Sequence, residues 1–247
     1  MQLKIKTKKN NYNIIIDQNL SRDICKYLSE INTQKFILIY SSTIKEIAQI
    51  LYDNISKEFQ DIHMLEIKDG EDAKDIDYIK KIISELVKLE CKRDSILLAV
   101  GGGTIGDVVG YVASIYMRGI RYINIPTTLL SMVDSSLGGK TAVNFGNIKN
   151  LVGSFHQPSA VFINPFYLKT LKDKEIRSGM GEVIKYSLIG NKEFINIVKD
   201  NYDCIIHLKN IVLLEKIIFK CCVIKKHYIE IDEYDIGERN ILNLGHT

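Results

Sequence analysis

Several clusters of residues in this chain have the types and spacings that chemistry requires. In Gly101-Gly102-Gly103-Thr104-Ile105-Gly106-Asp107, the glycines at 101, 103 and 106 fit G-x-G-x-x-G. Missing side chains there let backbone N–H groups and the start of a helix approach a pyrophosphate, although an unliganded strand-to-helix turn uses the same residues. In its usual setting the fingerprint follows a first strand, and an acidic residue ~20 positions on holds a ribose. Here position 126 is Pro126, which moves the candidate ribose partner upstream to Asp69-Gly70-Glu71-Asp72 with Lys74, a group that equally suits a solvated helix start. Gly138-Gly139-Lys140-Thr141 imitates the end of a P-loop, but the spacing needs glycine at 134, and Asp134 sits there. A triphosphatase is disfavoured; Lys140 is either a point charge for a phosphate or carboxylate, or a plain surface lysine.

Further on, Glu182 and Lys185 stand three apart and share a face of any helix they occupy. For an arbitrary Glu/Lys pair a surface ion pair is the favoured explanation, but Gly179 and Gly181 weaken a helix unless something approaches its backbone there. Arg239, Asn243 and His246 are spaced four and three apart, so a helix would align a cation, an amide and an imidazole. Glu182 and His246 are two of the three protein ligands that a catalytic zinc takes. His63, His156, His207 and His227 have no metal spacing to one another.

The elements that must position these groups fall into two parts. β-rich runs at 36–40, 62–67, 95–100, 122–125 and 160–163 alternate with stretches of helical period such as Ile76, Ile79, Ile83, Leu86 and Val87. That alternation predicts a parallel sheet with crossover helices, preceded by a hairpin from 3–5 and 12–16. From about Asp173 the runs are longer and helical, 211–228 being the longest, which predicts a helical second part packed against the first along a cleft.

Composition limits the partners. Of 247 residues, 33 are basic and 30 acidic, so any anion site is local and neither nucleic acid nor membrane is expected as a partner. The longest apolar runs are five residues, far below the ~18 to 20 that span a bilayer, and no secretion signal follows the N-terminal lysines. A soluble, cytoplasmic protein is expected, and the five cysteines, with no C-x-x-C pair, read as reduced thiols.

In order, GGGTIGD, Tyr116-Met117-Arg118-Gly119, the stretch from Pro126 to Asn144, Phe155-His156-Gln157-Pro158, SGMGEVIKY and Asn243-Leu244-Gly245-His246-Thr247 closely resemble 3-dehydroquinate synthase. The resemblance spans about Asp69 to Thr247 and implies an α/β fold: a Rossmann-like NAD-binding domain over 1–165, then the first part of a mainly α-helical metal- and substrate-binding domain over 166–247. It implies NAD and one divalent metal, zinc or alternatively cobalt, acting on 3-deoxy-D-arabino-heptulosonate 7-phosphate to give 3-dehydroquinate and phosphate in the shikimate pathway, by a homodimer at full length. By resemblance, NAD contacts fall on Asp69, Glu71, Lys74, Gly102, Gly103, Asp107, Thr127, Thr128, Lys140, Lys149, Leu168 and Thr170, and metal ligands on Glu182 and His246. Substrate and catalytic groups fall on Arg118, Asp134, Lys140, Asn150, Lys185, Lys225, Arg239 and Asn243. Two departures stand out: Asp235 where the family generally has Glu, and Ile148 where it has glycine. The chain ends inside its last matching motif, and the family's second histidine ligand lies beyond it, so a fragment of a longer enzyme is expected. The alternatives are a non-catalytic NAD-binding remnant and a related sugar-phosphate cyclase.

Overall fold

A computed structural model describes residues 1–245 apart from Lys9, Asn32 and Gln34. Strands β1 (Gln2–Lys6) and β2 (Asn11–Ile16) form the expected antiparallel hairpin. The chain then alternates α1 (Leu20–Ser29), β3 (Phe36–Ser41), α2 (Lys45–Ile55), β4 (Ile62–Ile67), α3 (Ile76–Lys88), β5 (Ile96–Gly101), α4 (Gly103–Ile115) and β6 (Arg121–Pro126). After a hairpin of β7 (Lys140–Phe145) and β8 (Ile148–Phe155), β9 (Ala160–Ile163) completes a seven-stranded sheet in the order β1-β2-β9-β6-β5-β3-β4. Every pairing from β2 to β4 is parallel.

All six residues of β3 and of β5 are buried, as continuous apolar strands must be when helices cover both faces of a sheet. One face packs on Leu20, Ile24 and Leu28 of α1 and Ile47, Ala48 and Leu51 of α2. The other packs on Ile79, Ile82 and Leu86 of α3 and Ile105, Val108 and Val112 of α4. The start of α3 is fixed by the Asp75 carboxylate, which accepts from the N–H groups of Asp77 (2.7 Å) and Tyr78 (3.3 Å), relieving two of the donors a helix start leaves unpaired. From β3 the chain steps outward to β4 and returns on the opposite side of β3 for β5, so the carboxyl ends of β3 and β5 flank a topological switch point, where open α/β sheets bind ligands.

No strand signal marks 140–155, yet that segment forms the β7–β8 hairpin, with an irregular register between Val143 and Phe145. The first four residues of β8 are exposed, so it lacks the in–out alternation that reveals a strand in sequence. The hairpin lies on α4 at Gly110, where an added Cβ would come within 2.4 Å of Thr141 Cγ2.

Helices α5 (Asp173–Ile189), α6 (Lys192–Asp200), α7 (Tyr202–Ile206) and α8 (Ile211–Ile231) follow, and no strand occurs after Ile163 among the described residues. Their core is shared: Ile5, Tyr12, Ile14 and Ile16 of the first hairpin pack in one cluster with Val183, Tyr186, Ile218 and Cys222. The five cysteines are free thiols, four of them buried. Burial pushes Cys25 and Cys91 up to about 11, so both stay protonated at neutral pH. Among the described residues no helix is long and apolar enough to cross a membrane.

Candidate active site

A cavity of about 640 Å³ opens between α4, the β7–β8 hairpin, α8 and the chain after it. It gathers Asp107, Asp134, Lys140, Asn150, Lys225, Arg239 and Asn243, residues up to 136 positions apart in sequence (107 to 243). The local folds that deliver them differ.

Asp134 and Ser135 come from a single π-helical turn, Ser131–Ser135, a form that recurs at functional sites because the widened turn redirects side chains. Lys225 Nζ donates to Asp134 Oδ1 (2.6 Å) and to its carbonyl (2.8 Å), and the Tyr186 hydroxyl donates to the same Oδ1. Burial alone would raise the Asp134 carboxyl, but the Lys225 and Lys185 ammonium groups outweigh it and hold the carboxyl below its ordinary range. Burial, then the neighbouring Asp134 charge, raises Tyr186 well above the usual phenol, so its O–H remains a donor.

Across the cavity, Lys74 is 5% exposed and spends its ammonium on Asp107 Oδ2 (2.5 Å) and Asn150 Oδ1 (2.8 Å). Burial raises the Asp107 carboxyl, with Lys74 opposing. Glu71 accepts from Asn144 Nδ2 at 2.9 Å, tying the acidic loop to β7, whereas Asp69 is exposed. The loop is therefore more than a solvated helix start.

Lys140 leaves a turn made of Gly138 (φ +90°) and Gly139 (φ +69°), a backbone region that side chains disfavour. Added Cβ atoms would meet the Arg239 guanidinium (2.2 Å) and Gln157 (2.7 Å). The turn is clamped from behind: Gly138 N–H donates to Tyr12 Oη (3.1 Å), Arg239 donates to the Gly138 carbonyl (3.3 Å) and the Glu233 carbonyl (2.9 Å), and Gln157 donates to Glu233 Oε1 (3.2 Å). Sequence reasoning missed Tyr12 and Glu233, whose signal exists only in three dimensions, and gave no role to Gln157, which stands in the Phe155-to-Pro158 motif. Lys140 itself pairs with Asp235, its side chain half exposed.

The Arg239–Asn243 spacing does not act as expected. Glu238–Asn243 is a 3₁₀ segment with three residues per turn, so positions four apart diverge: Arg239 is 2% exposed and Asn243 is exposed. Upstream of it, Asp232 draws in the N–H groups of Ile236, Gly237 and Arg239, which bends the chain between α8 and this segment. His246 lies outside the described residues. Glu182 and Lys185 form a buried pair on α5, not a surface one, and Lys185 also donates to the Leu242 carbonyl (2.8 Å). Gly179 admits Leu129, whose Cβ would lie 2.6 Å from an added methyl; beside Gly181 there is open space. Among the described residues no three His, Cys, Asp or Glu side chains gather as a metal site.

Other expected contacts lie apart from the cavity. Arg118 (φ +66°) is exposed after α4, Lys149 is exposed on β8, and neither lines it. Leu168 is fully buried in the core, which leaves only its backbone for a ligand. Thr170 borders a second cavity of about 480 Å³ with Ser42, Thr43 and Lys45, at the carboxyl end of β3 beside the switch point. Ser42 and Thr43 were not evident from sequence, since the strand order that singles them out is a property of the folded sheet.

Thr127 donates its N–H to the Gly101 carbonyl (2.9 Å), bringing the end of β6 against the glycine turn, and Gly102 lies where a Cβ would stand 3.1 Å from Thr128 Cγ2. The buried hydroxyls of Thr127 and Ser135 have no hydrogen-bond partner among the described residues. A bare backbone turn with orphaned hydroxyls beside it is the kind of cradle a dinucleotide fills.

The family model described as 3-dehydroquinate synthase N-terminal matches residues 64–178, and the one described as 3-dehydroquinate synthase C-terminal matches 179–247. The chain belongs to the 3-dehydroquinate synthase family. The junction between the two matches falls inside α5, near Gly179. The 3-dehydroquinate synthase of Clostridium tetani is 44% identical over 243 residues, 96% of this chain and 64% of the relative. That of Clostridium acetobutylicum is 41% identical over 99% of this chain and 68% of its own length. The chain thus spans about two thirds of the length of the curated relatives it matches. Among solved structures, 2-deoxy-scyllo-inosose synthase complexed with carbaglucose-6-phosphate, NAD+ and Co2+ superposes with a TM-score of 0.91 at 28% identity, covering all of this chain and 67% of that one. A 2-epi-5-epi-valiolone synthase from Streptomyces hygroscopicus with NAD+ and Zn2+ bound, at 23% identity and a TM-score of 0.87, shares the fold over 98% of this chain and 67% of its own.

Proposed function

We propose that this chain carries the cofactor-binding part and most of the substrate-binding part of a 3-dehydroquinate synthase, which converts 3-deoxy-D-arabino-heptulosonate 7-phosphate to 3-dehydroquinate and phosphate with NAD and a divalent metal. The observation that carries the reading is the convergence of Lys140, Lys225 and Arg239 on one cavity beside the glycine turn. NAD, when bound, supplies transient oxidation of a ring hydroxyl, which acidifies the neighbouring C–H. Its diphosphate fits the turn at Gly102 and Gly103, with Thr127 and Thr128 beside it and the Ser42–Thr170 cavity at the switch point for its far end.

The three cations have unequal freedom. Lys140 is half exposed and reaches an anion by exchanging Asp235 for it, whereas Lys225 is buried against Asp134 and Arg239 is held by carbonyls. Lys140 therefore meets the phosphate or carboxylate first, while Lys225 keeps Asp134 ionised beside the sugar ring as a candidate proton acceptor. Glu182 is the candidate metal ligand among the described residues, and Lys185 holds that carboxylate in place. A cytoplasmic homodimer is part of the same reading.

The test is phosphate release from the heptulosonate substrate in the presence of NAD and zinc. Release, abolished by Lys140→Ala, supports the reading. The superposition on an inosose synthase favours a second reading within the cyclases, which gains if a hexose 6-phosphate is cyclised and the heptulosonate is left untouched. NAD uptake without turnover of either substrate describes a cofactor-binding remnant.

A further inference from the structure

We propose that Ser135 is a dinucleotide-binding residue whose hydroxyl donates to a phosphate oxygen on the nicotinamide side of NAD; this rests on the cofactor reading above. The Ser135 hydroxyl oxygen is buried without a partner among the described residues, a condition that folded proteins reserve for few groups. It faces the glycine turn: a Cβ built on Gly103 would stand 2.8 Å from Ser135 Oγ, so glycine at 103 is what leaves room beside the hydroxyl. Gly103 opens α4, a helix of 13 residues whose Gly102 cap has no side chain, and the first N–H groups of such a helix have no acceptor within it.

Of the polar groups nearby, the Thr127 and Ser136 hydroxyls are also without a partner among the described residues, while the others are engaged. Asp107 is held by Lys74, Asp134 by Lys225 and Tyr186, and the Ser131 hydroxyl by the Thr128 carbonyl at 2.9 Å. Ser135 also lines the large cavity, as Asp107 and Asp134 do. A cofactor whose diphosphate rests on the turn and whose nicotinamide enters the cavity passes this hydroxyl first with its nicotinamide-side phosphate. Phosphate oxygens only accept, and a serine hydroxyl is free to rotate and donate.

Calorimetric titration of the chain and of Ser135→Ala with NAD, ADP-ribose and AMP tests this. ADP-ribose keeps both phosphates and lacks nicotinamide; AMP keeps only the adenine-side phosphate. The expected result is a loss of about tenfold in affinity for NAD and ADP-ribose alike, the scale of one hydrogen bond to a charged group, with AMP unchanged. Equal affinities for wild type and variant overturn the proposal, as does a loss for NAD that spares ADP-ribose, which would place the hydroxyl on the nicotinamide. If the wild-type chain binds NAD and only the variant result fails, the cofactor reading stands; if wild type binds neither NAD nor ADP-ribose, both fall. An unchanged melting temperature without ligand shows that the variant is folded. Should it drop, Ser135→Cys, which keeps the volume and weakens the donor, gives the same readout.

Discussion

The two walls of the cavity are built by different means. On the sheet side, backbone approaches its neighbours Thr128, Ser135 and Thr141 through missing side chains at Gly102, Gly103 and Gly110. On the helical side, buried charges hold one another in place: Lys225 with Asp134, Lys185 with Glu182, and Arg239 with two carbonyls. The first wall is therefore sensitive to an added methyl and the second to a lost charge.

The largest effect expected from that contrast is on binding. Gly103→Val should eliminate the calorimetric heat of NAD binding while the chain stays folded, because the new side chain fills the space beside Ser135. On the charged wall, Lys225→Met should lower unfolding free energy by ~1 to 3 kcal/mol in urea denaturation, since it takes the ammonium from the half-buried Asp134 carboxylate and leaves it only the Tyr186 hydroxyl. Gly110→Ala should cost ~1 to 3 kcal/mol by forcing the β7–β8 hairpin away from α4.

Asp134→Asn sharpens the contrast through pH. The folded carboxyl binds its proton less readily than the unfolded one, so the stability it contributes is complete above the ordinary carboxylate range and drains as pH falls through that range towards the lower folded value. The gap in urea midpoint between wild type and Asp134→Asn should be full at pH 7 and should begin to narrow as the pH is lowered to about 3, without closing there. A gap that stays constant would mean the carboxylate is not held by its cations. The smallest effect is a gain: Gly181→Ala, with open space beside it inside α5, should raise stability by ~0.5 to 1 kcal/mol, whereas the same change at Gly179 should destabilise through Leu129.

The same contrast explains what the amino-acid sequence makes legible. The sheet strands, the crossover helices and the glycine turn rest on local periodicity and backbone freedom, and they stand where expected, from Phe36 to Ile163. The charged wall is a meeting of segments, so Lys225 and Asp134 become partners only in the fold, and their roles entered through family resemblance. Where local spacing was used for the helical wall it misled: Glu238–Asn243 is a 3₁₀ segment rather than an α-helix, so Arg239 is buried and Asn243 exposed, although both line the cavity. The β7–β8 hairpin escaped notice for a related reason, since its exposed outer strand has no hydrophobic alternation to read. Ser42 and Thr43 depend on the order of strands, which no local window contains.

The first hairpin shares its core with the last helices, and this has a consequence for how the protein is made. The N–H groups of Lys6 and Lys8 end on the carboxylates of Glu230 and Glu233, 224 and 225 residues later. At ~5 to 20 residues per second, a ribosome takes roughly eleven to forty-five seconds to deliver those partners. Through that interval Ile5, Tyr12, Ile14 and Ile16 await the surface that finally covers them, so a segment made well before its cover is sealed late, and the nascent chain offers chaperones an apolar handle meanwhile.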